Sequence, residues 1–392
     1  MQWLETPMAA KRTRGGTNGW KVESSTTKTD FCSSYGSKTG NVYNKRASRN
    51  ELHNAEWCEC GPEASWSSPP VRIIDTHCHL ESLDGCWALP PSQGSWGFGG
   101  WWQRSKFDAA ATVQHVLNSQ PSELSAVISN CCDPLDFDWY EGLMEAWDSG
   151  EFRDGRLYWS VGIHPCCAKD FLVRHESEPE LEQRMLALAA HPRCIAIGEC
   201  GLDYCKSSET HEDQKLVFER ICRLAVLLKK ALVVHARDCP IDAIEILRKL
   251  VPTDWPIHVH GYTGVAEDAR ELLATFSGLC IGFCGAITMT DFHGSCGQCA
   301  PLWHPSCKFC GGQPEWVKRD FDALIDVVPL DRILLETDAP YMPPYPFFGR
   351  SCQPWMVGEV AKRLASRKGV TVATLIEGCN RNARRVYNTA FE

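Results

Sequence analysis

Two histidines one residue apart, His77 and His79, follow an apolar β-branched run in the stretch IIDTHCHL. Alternate side chains of a β-strand point to the same face, so the two imidazoles would project together. Two neighbouring imidazoles can share a cation, whereas the simpler interpretation is a polar strand end with two solvated histidines. The spacing predicts a metal site only if further ligands come from other parts of the chain.

Further histidines and carboxylates stand at the ends of four other apolar runs. They occur in the segments GECGLDY, VVHARD, HVHGYTG and ETDAP, and they are Glu199, His235, His260 and Asp338. Imidazole and carboxylate groups together bind Zn²⁺ and Mn²⁺ well, and Mg²⁺ less readily. These residues therefore predict a centre for divalent cations, provided that the fold brings the ends of the runs to one place.

The elements that must position these residues alternate regularly from residue 71 onward. Eight short apolar runs are separated by longer segments, most of which repeat apolar residues at helical spacing. This alternation favours an α/β fold, and eight parallel strands can close into a (β/α)8 TIM barrel, whose active site lies at the carboxyl ends of its strands. The competing architecture is an open doubly wound sheet, but its usual Gly-rich phosphate loop is replaced here by THCH. The eight runs cover residues 71–75, 124–129, 157–163, 194–198, 231–234, 256–259, 279–283 and 332–336.

Composition divides the chain near residue 70. Residues 1–70 are rich in Ser, Thr, Lys, Asn and Gly and lack periodicity, which predicts a low-complexity, mostly disordered N-terminal segment before a hydrolase barrel over residues 71–392. The net charge of −9 argues against a generally basic coat for nucleic acid but is compatible with a local basic patch. We find no apolar run typical of a membrane span or a signal peptide, so the expected location is the cytoplasm or the nucleus.

The first of two insertions into the barrel pattern is rich in tryptophan and spans residues 85–107. Trp101 and Trp102 lie in it beside basic residues, and on a loop above the site they would stack on unpaired bases. The alternative is a glycine-hinged flap whose tryptophans pack on one another. The two interpretations stay open at the level of sequence.

The second insertion spans residues 290–313 and is rich in cysteine. Its spacing, C-x2-C-x7-C-x2-C, offers four thiolates for a structural Zn²⁺, and the alternative is an unligated loop with reactive thiols. The four residues are Cys296, Cys299, Cys307 and Cys310.

Six separated motifs also carry a family resemblance, which extends from about residue 71 to the terminal NRNARRVYN. The segments DTHCHL, GIHP, GECGLDY, HARD, HGYTG and ETDAPY resemble those of the TatD-related deoxyribonucleases in the amidohydrolase superfamily. The resemblance implies the barrel, a divalent-metal centre and nuclease activity on DNA, with 3′-to-5′ exonuclease action common. Some relatives act on RNA or remove D-amino acids from tRNA.

The resemblance also assigns roles to the polar residues. It implies that His77, His79 and Asp338 bind one metal ion, that His235 and His260 bind a second, and that Glu199 bridges the two. Two such cations, whether Mg²⁺, Mn²⁺ or Zn²⁺, can hold the attacking and departing oxygens of a phosphodiester. We expect Asp338 also to position or deprotonate the attacking water. Residues with tentative places around the ligands, as substrate contacts or supports, are His164, Asp203 and Arg237.

Three classes of function follow from these features. The leading hypothesis is a metal-dependent hydrolase that cleaves phosphodiester bonds in a DNA or RNA partner. The second is a hydrolase of another bond on the same metal centre, such as the ester of D-aminoacyl-tRNA, because fold and metals do not fix the substrate. The third is a non-catalytic binding protein, which the intact set of ligands disfavours. No feature of the sequence indicates an oligomeric state.

Overall fold

The computed structural model describes residues 71–87, 109–178, 180–205, 210–291, 320–347 and 350–391. The segment 1–70, most of both insertions and a few short stretches therefore lie outside the described residues. Within these ranges, eight parallel strands form one sheet, in which each strand pairs with the next along the chain. The strands are β1 (Ile73–Cys78), β2 (Leu124–Cys131), β3 (Leu157–Val161), β4 (Cys194–Asp203), β5 (Ala231–Arg237), β6 (Ile257–Val259), β7 (Leu279–Phe283) and β8 (Ile333–Leu335).

The sheet closes because the chain beyond β8 lies beside the end of β1. Cys78 and Ala339 form a parallel bridge, and the His79 amide donates to the Ala339 carbonyl at 2.7 Å. The Thr76 hydroxyl donates to the Leu335 carbonyl at 2.9 Å. These contacts confirm the (β/α)8 barrel predicted from the eight apolar runs.

Helices surround the strands and bury their outer faces. Most described helices show an apolar face at a spacing of three and four residues, and this face packs on the sheet. None of the helices in the described ranges is long and apolar enough to cross a membrane. The helices are α1 (Leu80–Trp87), α2 (Ala109–Asn118), α3 (Phe137–Ser149), α4 (Ala168–Ser177), α5 (Glu180–Ala190), α6 (His211–Leu228), α7 (Pro240–Leu250), α8 (Ala266–Thr275), α9 (Phe321–Val327), α10 (Val357–Lys368) and α11 (Val372–Tyr387).

Small and branched residues fill the interior of the barrel. Ala126, Ala196 and Val233 are fully buried there, in one cluster with residues from the C-terminal end of the chain. Phe391 from that end contacts Tyr158 with the two ring centroids 5.1 Å apart. Helix α11 and the residues after it thus pack against this interior cluster. The predicted ligands at the strand ends are not part of it.

Strand β4 is longer than the sequence predicts. The predicted run ends at Gly198, with Glu199 as the first residue beyond it, whereas the strand continues to Asp203. The pairing of β4 with β5 shifts register between Ile197 and Cys200, which is the signature of a β-bulge. Gly198 has a φ of +126°, and a Cβ there would overlap the Val233 carbonyl oxygen. The bulge and the glycine therefore keep Glu199 inside a strand.

Asn382 joins α11 to the start of β8. Its buried amide donates to the carbonyls of Leu330 at 2.8 Å and Ile333 at 2.9 Å. The Leu330 carbonyl precedes β8 and the Ile333 carbonyl belongs to its first residue, so the contact anchors the start of the strand that leads to Asp338.

We predict that Asn382→Ala lowers the free energy of unfolding by about 1–3 kcal/mol, because two carbonyls lose their donor in a buried setting. Urea denaturation followed by circular dichroism measures the change. The control is Arg381→Ala at the neighbouring exposed position, which should stay within about 0.5 kcal/mol of the parent. Equal stability of Asn382→Ala and the parent would contradict the anchoring role.

Candidate metal centre

Strand β1 presents its two histidines to one place, as their spacing predicts. The Nε2 atoms of His77 and His79 lie 3.3 Å apart at the carboxyl end of the strand. Oδ1 of Asp338, which follows β8, lies 3.6 Å from the first of these nitrogens and 3.4 Å from the second. The closure of the barrel between β8 and β1 thus brings Asp338 beside two histidines that precede it by more than 250 residues in the sequence.

The Glu199 carboxylate lies between these groups and a second set of histidines. Its Oε2 is 3.4 Å from His77 Nε2 and 3.7 Å from His79 Nε2. Its Oε1 is 2.8 Å from His235 Nδ1 and 2.7 Å from His260 Nε2. Each oxygen therefore faces a different group. We call the group around Oε2, with His77, His79 and Asp338, the first half-site, and the group around Oε1, with His235 and His260, the second half-site.

The spacing of the first half-site fits a bound cation. Tetrahedral ligands about 2.1 Å from a metal lie about 3.4 Å from one another. The five separations measured among the four ligand atoms run from 3.3 to 3.7 Å. Glu199 Oε2 is buried and accepts no hydrogen bond within the described residues. A buried carboxylate oxygen without a donor is costly, and a cation would satisfy it.

Charges inside the cluster suit cation binding. Burial and the nearby His260 lower the pKa of His77 to about 3, so this imidazole is neutral and can offer a lone pair. Burial alone would raise the pKa of Glu199, but the surrounding histidines, His260 foremost, bring it well below the usual range. Burial alone would also raise the pKa of Asp338, but its hydrogen bond to His79 and the charges of the nearby histidines together lower it. Both carboxylates are ionised at neutral pH.

The backbone at Asp338 adopts the left-handed conformation. Its φ is +59°, which is uncommon outside glycine although aspartate tolerates it better than most residues. The Asp338 amide donates to the His77 carbonyl at 2.8 Å, and the Tyr341 amide donates to the Asp338 carbonyl at the same distance. These bonds hold the strained residue in place and direct its side chain to the cluster.

Asp75 and Thr337 support this arrangement, and the sequence analysis assigned them no role. The fully buried Asp75 carboxylate accepts from the Thr337 amide at 2.9 Å and from the Thr337 hydroxyl at 2.6 Å. It thereby ties the turn after β8 to β1. A carboxylate at the end of the apolar run VRIID was the signal in the sequence, but its partner lies 262 residues away.

His164 lies closer to the cluster than the sequence analysis placed it. Its Nε2 is 3.4 Å from Glu199 Oε1, so it borders the second half-site. The Cys166 amide donates to His164 Nδ1 at 3.1 Å. Burial lowers the pKa of His164 to about 3, so the ring is neutral, and its hydrogen must then be on Nε2. His164 therefore faces the cluster as a hydrogen-bond donor.

Arg237 lies within the described residues, whereas the residues predicted to act from the two insertions do not. Arg237 ends β5 and lies close enough to Asp203 to help lower the pKa of that carboxylate against burial. The predicted base-stacking and zinc-binding residues, Trp101, Trp102, Cys296, Cys299, Cys307 and Cys310, lie outside the described residues.

His258 shares an H-x-H spacing with His260 but belongs to a separate buried group. Its Nε2 lies 2.8 Å from Glu336 Oε2, and its Nδ1 lies 2.7 Å from the Tyr387 hydroxyl. Burial raises the pKa of Glu336 to about 8, so this acid is largely protonated at neutral pH and can donate to His258. The group fills the barrel interior and is not spaced for a cation.

Comparisons with known proteins agree with this geometry. The family model described as TatD related DNase matches residues 74–388. The chain is 31% identical over 319 residues to the uncharacterized metal-dependent hydrolase YcfH of Escherichia coli K12, which covers 81% of this chain and 96% of that protein. It is 30% identical over 346 residues to the human 3′-5′ RNA nuclease TATDN2, which covers 84% of this chain but only 38% of that protein.

A solved structure shows the same fold. The crystal structure of the TatD homologue YJJV from Escherichia coli aligns with a TM-score of 0.54 and 21% identity, over 81% of this chain and 98% of that one. The family match covers β1 from Ile74, all of the other seven strands and every residue of the two half-sites. The chain therefore belongs to the TatD related DNase family and is a metal-dependent hydrolase of that family.

Proposed function

We propose that the protein hydrolyses phosphodiester bonds in single-stranded DNA or RNA, removing nucleotides from the 3′ end with two divalent cations. The observation that carries the proposal is the Glu199 carboxylate, with one oxygen in each of two imidazole groups. The polarity and the substrate are taken from relatives. TATDN2 is named as a 3′-5′ RNA nuclease and the Pantoea vagans TatD, 27% identical over 245 residues, as a 3′-5′ ssDNA/RNA exonuclease.

Each half-site would hold one cation in this proposal. His77, His79 and Asp338 would bind the first, His235 and His260 the second, and Glu199 would bridge them. Two bound cations supply Lewis acidity and lower the pKa of water, which favours Mg²⁺, Mn²⁺ or Zn²⁺ as the native metal. The protein contributes four imidazoles and two ionised carboxylates at fixed spacing.

Asp338 is the residue best placed to take the proton of the attacking water. Its side chain is 17% exposed, whereas Glu199 is 2% exposed, so solvent reaches Asp338 more readily than the other carboxylate of the cluster. Its pKa is lowered, so it is ionised and can accept a proton. A general base must lie within hydrogen-bond reach of the proton that it removes, so in this proposal the attacking water would lie beside Asp338, between the turn after β8 and the two histidines that follow the apolar run of β1.

The first experiment measures hydrolysis by the purified protein with Mg²⁺, Mn²⁺ or Zn²⁺ on end-labelled single-stranded DNA, RNA and D-aminoacyl-tRNA. We expect stepwise shortening from the 3′ end, its loss with a chelator, and a fall of about 10²–10⁴-fold for Asp338→Asn. The control is Asp254→Asn, at an exposed position before β6, which should act like the parent.

Two results would contradict the proposed nuclease. Release of the amino acid from D-aminoacyl-tRNA without shortening of any strand would favour the alternative deacylase. Binding of the labelled strands without hydrolysis of any substrate, under every metal tested, would favour the non-catalytic binding protein.

His164 provides a second prediction, because a donor and a metal ligand respond differently to removal. We propose that its Nε2–H contacts a substrate phosphate, so His164→Ala should raise KM at least several-fold and leave the number of bound cations at two. Steady-state kinetics and metal analysis after gel filtration measure both quantities. The control is His175→Ala on α4, whose partner is Glu182. Loss of one cation in His164→Ala would instead make this residue a ligand.

The cysteine-rich insertion provides a third prediction. We propose that Cys296, Cys299, Cys307 and Cys310 hold a structural Zn²⁺, as their spacing suggests. In a His77→Ala/His235→Ala background, one zinc per chain should remain with the protein and should disappear when Cys296 and Cys299 are changed to Ser. Cys205→Ser, at an exposed cysteine of the described residues, is the control. Absence of zinc from the background variant would refute the site.

The expected location of the protein, in the cytoplasm or the nucleus, stays a prediction.

A further inference from the structure

Two buried carboxylates, Glu81 and Asp203, lie behind the ligand set, one at each half-site. Each is only 3% exposed. Glu81 Oε1 lies 3.4 Å from His79 Nδ1, and Asp203 Oδ2 lies 3.4 Å from His235 Nε2. In both cases the other nitrogen of the ring faces the cluster. Each carboxylate therefore contacts a proposed ligand from the side away from the cation.

The partners of His79 determine where its hydrogen is. Nδ1 faces the Asn130 carbonyl at 3.2 Å as well as the Glu81 carboxylate, and both groups can only accept. A histidine that binds a cation is neutral, so the single hydrogen of a ligating His79 would be on Nδ1, between these two acceptors, and the lone pair of Nε2 would be left for the cation. Glu81 itself is held by the Tyr140 hydroxyl of α3, which donates to Oε2 at 2.8 Å.

The partners of His235 determine the position of its hydrogen in the same way, and here the supporting carboxylate is Asp203. The Asp203 carboxylate lies 3.4 Å from Nε2 and can only accept, so in a ligating His235 the hydrogen would be on Nε2 and Nδ1 would be left for the cation. Asp203 Oδ1 accepts from the Cys205 amide at 3.0 Å. Gln214 of α6, itself buried, accepts from the Asp203 amide at 2.9 Å and donates to the Asp203 carbonyl at 3.1 Å. Two hydrogen bonds from one side chain thus fix the end of β4 at Asp203.

We propose that Glu81 and Asp203 are positioning residues, each of which sets the ring orientation and the donor nitrogen of one histidine in its own half-site. The inference rests on the proposed two-cation function and adds to it a separate support for each cation. Carboxylates that hold the second nitrogen of a ligating histidine typically contribute 10–100-fold in metal affinity. A residue with only a general structural role would weaken both half-sites together.

The test measures Mn²⁺ binding to chelator-treated, dialysed full-length protein by isothermal titration calorimetry, in two backgrounds that each keep one half-site. In the His235→Ala background, Glu81→Gln should weaken the remaining cation about 10–100-fold and Asp203→Asn should change it less than about twofold. In the His79→Ala background, Asp203→Asn should weaken binding of the remaining cation about 10–100-fold, and Glu81→Gln should change it less than about twofold. Both substitutions preserve side-chain size, and thermal unfolding monitors the fold of each variant.

The outcomes separate this inference from the proposed function. Two bound Mn²⁺ in the parent, with affinities unchanged by both substitutions or lowered equally in both backgrounds, would overturn the positioning role and leave the proposed function intact. Absence of Mn²⁺ binding by the parent would overturn both. Tyr140→Phe is the second variant for the first half-site, should Glu81→Gln fail to fold. It removes the donor to Glu81 and should weaken only the cation beside His79, and unchanged affinity there would also refute the role.

Discussion

The centre depends on burying one ionised carboxylate among imidazoles. Taking the charge of Glu199 out of water costs several kcal/mol unless positive or strongly polar groups surround it. The protein meets this cost with histidines on both sides, so that each carboxylate oxygen faces a different set of nitrogens. With cations bound, the same oxygens would have stronger partners. The site is therefore built around a negative charge that is stable only in a polar, preorganised pocket.

The groups that surround Glu199 come from distant strands, so the centre depends on closure of the barrel. The ligand side chains come from five strands or the residues just after them, and these meet because the chain beyond β8 lies beside the end of β1. Asp75 and Thr337 reinforce that junction from inside the barrel, beside the two histidines of β1. The same hydrogen bonds at this junction thus stabilise the barrel and position the ligands. A substitution that removes them should therefore lower both the stability and the activity.

Much of this arrangement could be predicted from the sequence, because it follows from short periodic patterns. Eight apolar runs alternating with helical segments predict the barrel, and His77 and His79 share a strand face because of their spacing alone. The supports could not be predicted in this way. Asp75 with Thr337, and Gln214 with Asp203, are pairs whose partners are defined by packing between distant elements. The bulge in β4, which places Glu199 within the strand, leaves no trace in hydrophobic periodicity.

Gly198 limits how this enzyme can change during evolution. Any side chain at that position would press on the backbone of β5 at Val233 and separate two neighbouring strands. One of these strands carries Glu199 and the other carries His235, so the separation would pull a shared carboxylate away from its imidazole partner. Mutational tolerance is consequently low at a residue that has no functional group, and variants there would lose the centre while keeping all six of its ligands.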